Sequence, residues 1–212
     1  MAEANSRLMS NYAASPFNRW TDQDIIDLAA AYPLAWVVSV APDFAATPLP
    51  ILIETNDNGS PVSLLGHFAK SNPQVAQIRA QPRTLFLFSG PHAYISPELV
   101  KTTRNWGPTW NYAAVRIVAD VRFDEALNDE ALERLVATME EGRRVPWNKL
   151  ELGPRYERMK QAIIAFRAPI VTVEARFKLG QDERDEVFAD IVNGFDGQVL
   201  GEWMRRFNRD RG

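Results

Sequence analysis

Apolar residues recur along this chain with the two-residue period of strands in some stretches and the roughly 3.6-residue period of helices in others. Residues 1–20 are polar, with Tyr12, Phe17 and Trp20 spaced along them, and read as an extended arm. Thr21 followed by Asp24 resembles a capping box, and Ile25, Ile26, Leu28, Ala29 and Ala30 supply a helix stripe that Pro33 stops. Leu34 to Val40 is a continuous apolar, β-branched run, the pattern of a buried strand. After a Pro42-Asp43 turn, Ala46 to Glu54 resumes as a strand punctuated by Pro48 and Pro50, whose missing N–H groups must face away from any partner strand. Asn56-Asp57-Asn58-Gly59 predicts a hairpin turn into a strand from Val62 to Gly66.

Ser71 or Asn72 then caps a short helix, with Pro73 in its first turn, Val75, Ala76 and Ile78 on its buried side, and Pro82 at its end. Arg83 to Ser89 predicts a strand, Ala93 to Ser96 begins a further one, and Pro97 to Pro108 is loop. From Trp110 to Phe123, Val115, Ile117, Ala119 and Val121 alternate against Arg116, Asp120 and Arg122. The period then changes. Helices are expected over Asn128 to Glu141 and, after a Pro146-Trp147 turn, over Arg155 to Phe166. Ile170 to Leu179 alternates as a strand, and two short helical patterns close the chain, Glu183 to Val192 and Gln198 to Phe207. About six strands interrupted by helices, without a Gly-x-Gly-x-x-Gly rhythm, predict a mainly β (α+β) antiparallel barrel with peripheral helices.

Composition narrows the function. The 212 residues are 46% hydrophobic and 24% charged with net charge −3, ordinary for one globular domain and without the basic excess of a polyanion binder. A basic cluster, Arg205, Arg206, Arg209 and Arg211, reads as a solvated helix end more readily than as a nucleic-acid arm. The absence of cysteine excludes disulfides, thiolate nucleophiles and Zn–Cys or Fe–S sites, and two histidines leave little room for a metal centre. No apolar run approaches a membrane span, no signal-peptide core is visible, and the expected location is the cytoplasm.

Three dense motifs carry the chemistry. In Gly66-His67-Phe68-Ala69-Lys70-Ser71-Asn72-Pro73 a strand end meets a helix start with a cation and a hydroxyl beside it, a place where an anion gains hydrogen bonds. An ordinary N-cap with a solvated lysine has the same spacing. Ser89-Gly90-Pro91-His92-Ala93-Tyr94-Ile95-Ser96-Pro97 and Pro108-Thr109-Trp110-Asn111-Tyr112 are aromatic turns. Trp110, Asn111 and Tyr112 suit clamping a flat ring, though taken alone they read more readily as plugging a barrel end. Phe177-Lys178-Leu179-Gly180-Gln181-Asp182 ends a strand with a cation and an amide, which also fits a simple strand-to-helix turn.

Taken in order and spacing, these motifs closely resemble the PaiB-like family, FMN-binding proteins described as negative transcriptional regulators. The likeness runs from about Tyr12 to Asp185 and includes Pro48-Leu49-Pro50, Pro146-Trp147 and Lys178-Leu179 with Gln181. It implies a six-stranded antiparallel split β-barrel of the FMN-binding type, similar to pyridoxamine-phosphate oxidase. A single domain over 1–212 is expected, with an N-terminal arm at 1–20 and a C-terminal helical segment at 183–212. It further implies a homodimer with FMN between the subunits. By that resemblance Lys70, Ser71 and Asn72, following His67, Phe68 and Ala69, hold the phosphate. Thr47, Pro48 and Leu49 run beside the isoalloxazine, and Trp110, Asn111, Tyr112, Lys178 and Gln181 complete the site. The chain departs from the family in having Lys70 for the usual arginine, which keeps charge without the bidentate fork, Glu98-Leu99 for an aromatic pair, and Gly180-Gln181-Asp182 for Ser-Gln-Asn. Two functions follow, a flavin-dependent oxidoreductase and a regulator acting through a partner or ligand. The case for direct DNA binding is weak, because no helix-turn-helix or basic face is visible. Related split barrels also accommodate haem, for which His67 is the candidate ligand.

Overall fold

The computed structural model describes residues 15–41 and 43–211. Tyr12 of the expected arm and Pro42 of the expected turn lie outside the described residues. The described residues group into two compact units, one of residues 15–21, 89–115 and 174–211, the other of 22–88 and 116–173.

The second unit starts with helix α1 (Asp22–Ala31), whose acidic first turn complements the helix dipole and whose Ile25, Leu28 and Ala29 are buried. Strands β1 (Leu34–Ser39), β2 (Ala45–Pro50), β3 (Leu52–Thr55) and β4 (Pro61–Ala69) follow. Strand β1 is not buried on both faces as its apolar run predicts. It alternates, with Ala35 and Val37 in the core and Leu34 and Trp36 63% and 49% exposed. The predicted strand from Ala46 to Glu54 is divided at Ile51, whose N–H turns aside to the Pro33 carbonyl at 2.9 Å. Strand β2 pairs with β1 and β3 with β4, so the sheet order β2-β1-β5 (Arg83–Ile95)-β6 (Thr109–Asp120)-β8 (Ile163–Lys178)-β4-β3 begins and ends on consecutive strands. The Asn56 side chain accepts from the N–H groups of Asn58 and Ser60, both at 3.0 Å, and Gly59 takes the positive φ of 80° that the hairpin turn needs.

Helix α2 (Gln74–Ala80) leads into β5 (Arg83–Ile95), a single strand that passes through Gly90-Pro91 where the sequence suggests a break. Strands β6 (Thr109–Asp120) and β7 (Arg122–Phe123) replace the one predicted long strand. Helices α3 (Asn128–Glu140) and α4 (Arg155–Gln161) precede β8 (Ile163–Lys178), which starts seven residues before the predicted Ile170. Here Asn128 decides the boundary. Its amide donates to the Lys160 and Ile163 carbonyls at 3.1 and 3.0 Å and its oxygen accepts from the Ala165 N–H at 2.8 Å, so the chain leaves the helix. Ile164, Ala165 and Phe166 then pair with Phe68, His67 and Gly66 of β4. Phe68, Phe86, Phe123 and Phe166 pack with centroids 5.8–6.1 Å apart. Gly66 is needed beside them, since a Cβ there would come within 2.7 Å of Ile51 and 2.8 Å of Phe166.

Across β3, β8 and α3, Glu54 receives Arg167 at 3.0 Å and also pairs with Arg134, while Glu130 bonds both arginines. Burial alone would raise the Glu54 carboxyl, and the hydrogen bonds from Arg167 and Arg134 outweigh it, holding the group below its ordinary value of 4.5. A carboxyl depressed in the folded state stabilises it above the unfolded value, and that stability is lost as pH falls through the folded one. Glu54→Gln should therefore cost about 1–2 kcal/mol near neutrality and less toward pH 3, as urea melts across that range would show. A variant that stays equally destabilised at pH 3 would contradict this.

In the first unit, α5 (Asp185–Gly194) and α6 (Val199–Arg206) follow β8. Phe177, Trp203 and Phe207 stack nearly parallel, with Phe177 and Phe207 centroids 4.4 Å apart. The predicted fold class holds, mainly β with peripheral helices and an antiparallel split barrel, with eight strands rather than six.

Candidate functional site

Sequence-predicted residues fall into a group in each unit. In the second unit, β4 delivers the chain to a turn at Lys70, whose N–H bonds the Ala162 carbonyl at 2.9 Å. Asn72, not Ser71, caps α2, its Oδ1 accepting from the Gln74 N–H at 2.9 Å. The Val75 and Ala76 N–H groups bond the carbonyls of Asn72 and Pro73. Those first-turn N–H groups are engaged within the turn, so the donors open to an anion are side chains and the Ser71 N–H.

Lys70, Ser71, Asn72, Pro73, Val75, Ala76, Arg79, Glu125 and Ile164 line a groove of about 380 Å³. Lys70 Nζ lies 2.8 Å from Glu125, an exposed pair worth ~0.2–1 kcal/mol. Ser71 makes no hydrogen bond among the described residues, and neither does the Arg79 guanidinium, which sits 5.8 Å from the Phe123 ring centroid. A groove with two cations and an unengaged hydroxyl fits a phosphate group.

A relay of amides and hydroxyls braces this groove. Asn72 Nδ2 donates to Thr47 Oγ1 at 3.0 Å, and that hydroxyl donates to Gln74 Oε1 at 2.6 Å. The Gln74 amide, in a side chain only 1% exposed, donates to the carbonyls of Val37 and Ala45 at 2.9 and 3.1 Å. Thr47 on β2 and Asn72 before α2 are thus brought together by Gln74. Pro48 and Leu49 continue β2 along the sheet edge, opposite Trp36 and Ala35. With both prolines turned outward, positions 48 and 50 offer carbonyl acceptors and no donors.

The rest of the β4 motif lies apart from the groove lining. Phe68 is fully buried in the phenylalanine cluster, and Ala69 is exposed. His67 pairs with Ala165 in the ladder, and burial lowers its pKa, favouring the neutral imidazole. Among the described residues no group of three His, Cys, Asp or Glu side chains is placed to hold a metal ion.

In the first unit, strand alternation separates the aromatic motif. Trp110 is 54% exposed, whereas Asn111 is buried with its amide 3.6 Å from Met204 Sδ. Tyr112 returns to the Trp110 face, its hydroxyl accepting from Arg176 Nε at 3.2 Å. Neighbours of Trp110 are His92, at 6.2 Å between centroids, and Tyr94, edge-on at 6.1 Å. Lys178 Nζ donates to Thr109 Oγ1 and, at 3.0 Å, to the Trp110 carbonyl, fixing the start of β6. Gln181 braces its own turn, accepting from the Leu179 N–H at 2.8 Å and donating to the Phe177 carbonyl at 2.6 Å.

Gln74, Arg79 and Glu125 were not singled out from the sequence. Gln74 lies two residues past the cap, where a polar side chain in an otherwise apolar buried stripe is the available signal. Arg79 and Glu125 carried none, since a cation late in a helix and an acid before one are both common.

The family model described as "Putative FMN-binding domain" matches residues 11–172, well over half of the chain. The chain belongs to that FMN-binding domain family. It is similar to the protein "Protease synthase and sporulation protein PAI 2" of Bacillus subtilis, 31% identical over 153 residues covering 69% of this chain and 70% of that protein. Among solved structures it is similar to the flavocytochrome Anf3 from Azotobacter vinelandii, with TM-score 0.54, 17% identity, and 81% and 74% of the two chains covered. The FAD and heme binding protein from Mycobacterium smegmatis gives TM-score 0.51 and 16% identity over 80% of this chain and 77% of that one. At these identities the structural likeness speaks to the fold. In the same unit as Lys70, a second groove of about 480 Å³, lined by Leu132, Val136, Trp147, Tyr156 and Met159 among others, holds none of the predicted site residues. Among the described residues no helix is long and apolar enough to cross a membrane.

Proposed function

We propose that this member of the FMN-binding domain family binds FMN as a homodimer and works as a flavin-dependent oxidoreductase. The observation that carries the reading is the groove in which Lys70 and the unengaged Ser71 hydroxyl face a common space braced by Asn72, Thr47 and Gln74. Bound FMN would supply hydride and electron transfer. This chain's own residues would position it. Lys70 neutralises the phosphate, and the outward carbonyls of β2 at Pro48 and Pro50 accept from ring N–H groups. A regulator that senses flavin through the same residues is the second reading; the Bacillus relative is named for protease synthase and sporulation.

The visible absorption spectrum of the purified chain, before and after FMN is added and excess removed, tests the first step. A retained two-band flavin spectrum is expected. A colourless protein that takes up no FMN would overturn the proposal. Anaerobic addition of NADH or NADPH then separates the readings: bleaching with either supports the oxidoreductase, and a loaded protein that neither reduces favours the sensor.

A further inference from the structure

The groove contains one cation too many for a simple Lys70 site. Lys70 is already matched by Glu125 at 2.8 Å, so those two charges cancel. Arg79 lines the same groove, and among the described residues no carboxylate pairs with it. Its guanidinium lies 5.8 Å from the Phe123 ring centroid, a contact that leaves the N–H donors available. Summed over its charged side chains, Lys70 and Arg79 against Glu125, the lining carries a single net positive charge.

Resting on the FMN reading above, we infer that Arg79 is a phosphate-positioning residue for the flavin and that Glu125 competes with the phosphate for Lys70. Arg79 supplies the planar, two-pronged donor that a lysine at position 70 cannot. Position 79 lies on α2 rather than at the strand end, and the helix orients it independently of the turn. A phosphate entering the groove meets Arg79 unopposed, while it gains Lys70 only by displacing the Glu125 carboxylate. Both carboxylate and phosphate are oxyanions that bind an ammonium group, so the exchange costs one exposed ion pair. The arrangement favours a ligand with a doubly charged terminal phosphate, which can hold both cations at once, over one without it.

Opposite-sign variants test this on the full chain, with FMN and riboflavin as a pair of probes that differ by the phosphate alone. Arg79→Gln should weaken FMN about tenfold and leave riboflavin unchanged, closing the gap between the two flavins. Glu125→Gln should tighten FMN about threefold, again without moving riboflavin, and added salt should shrink both effects. A variant that merely damages the fold cannot produce tightening. Equal loss of both flavins in Arg79→Gln, or weaker FMN binding in Glu125→Gln, would overturn the inference while leaving flavin binding intact. A wild-type chain that binds neither flavin overturns the flavin reading and this inference together.

Discussion

Lys70→Glu abolishes FMN binding, with an expected loss of at least ~100-fold, while the chain stays folded. The size follows from two effects of the same sign. The charge-assisted bond from the ammonium to the phosphate is removed, at about 1.5–3 kcal/mol, and a carboxylate is set among the phosphate's remaining donors. Glu125 lies within reach of the new carboxylate, since it already sits 2.8 Å from the present ammonium, so local negative charge rises further. The fold has little stake in position 70. Its backbone N–H bonds Ala162 whatever the side chain, and the lost ion pair is exposed. Circular dichroism and the unfolding midpoint should change little, and riboflavin affinity should fall far less than that for FMN. Retention of FMN at wild-type affinity would remove Lys70 from the phosphate site.

Much of this was legible in the chain because local rules and tertiary packing agree. Asn72-Pro73 starts α2, and the Asn56-to-Gly59 hairpin forms where turn chemistry places it. Misreadings arose where a distant partner overrides a local pattern. Ile163 to Phe166 is apolar enough to prolong a helix, but the Asn128 side chain, more than thirty positions earlier, captures the backbone at the boundary. Gly90-Pro91 reads as a break, yet β5 continues through it. The Trp110-Asn111-Tyr112 motif shows a different limit. Recognising the residues is possible from sequence, but the two-residue period of β6 puts Asn111 in the core against Met204, away from the exposed Trp110. Gly180, a departure from the family pattern, has a local reason as well. Its φ is +86°, and Gln181 braces the same turn.

Gln74→Leu is expected to be the most destabilising single change at the site. Leucine nearly matches the volume, so the cost is polar. The Val37 and Ala45 carbonyls and the Thr47 hydroxyl each lose a partner in a place only 1% exposed at position 74. At about 1–3 kcal/mol for each group left unpaired, with part relieved by rearrangement, the loss is about 3 kcal/mol, roughly 6–12 °C in the unfolding midpoint. Thr47 and Asn72 lose their brace with it, so FMN binding should weaken although Gln74 does not line the groove. Gln74→Glu separates the polar argument from volume. A carboxylate at that position has nothing to donate to the two carbonyls, so the folded state must hold a proton that the unfolded chain releases. A carboxyl raised in the folded state destabilises it as pH climbs above the unfolded value. Gln74→Glu, whose neutral carboxyl can donate to one of the two carbonyls, should therefore lie nearest to wild-type stability near pH 4 and fall further behind toward pH 8, opposite to the trend that Glu54 imposes. Equal deficits at both pH values would show that shape, and not the amide's donors, ties β1, β2 and α2 together.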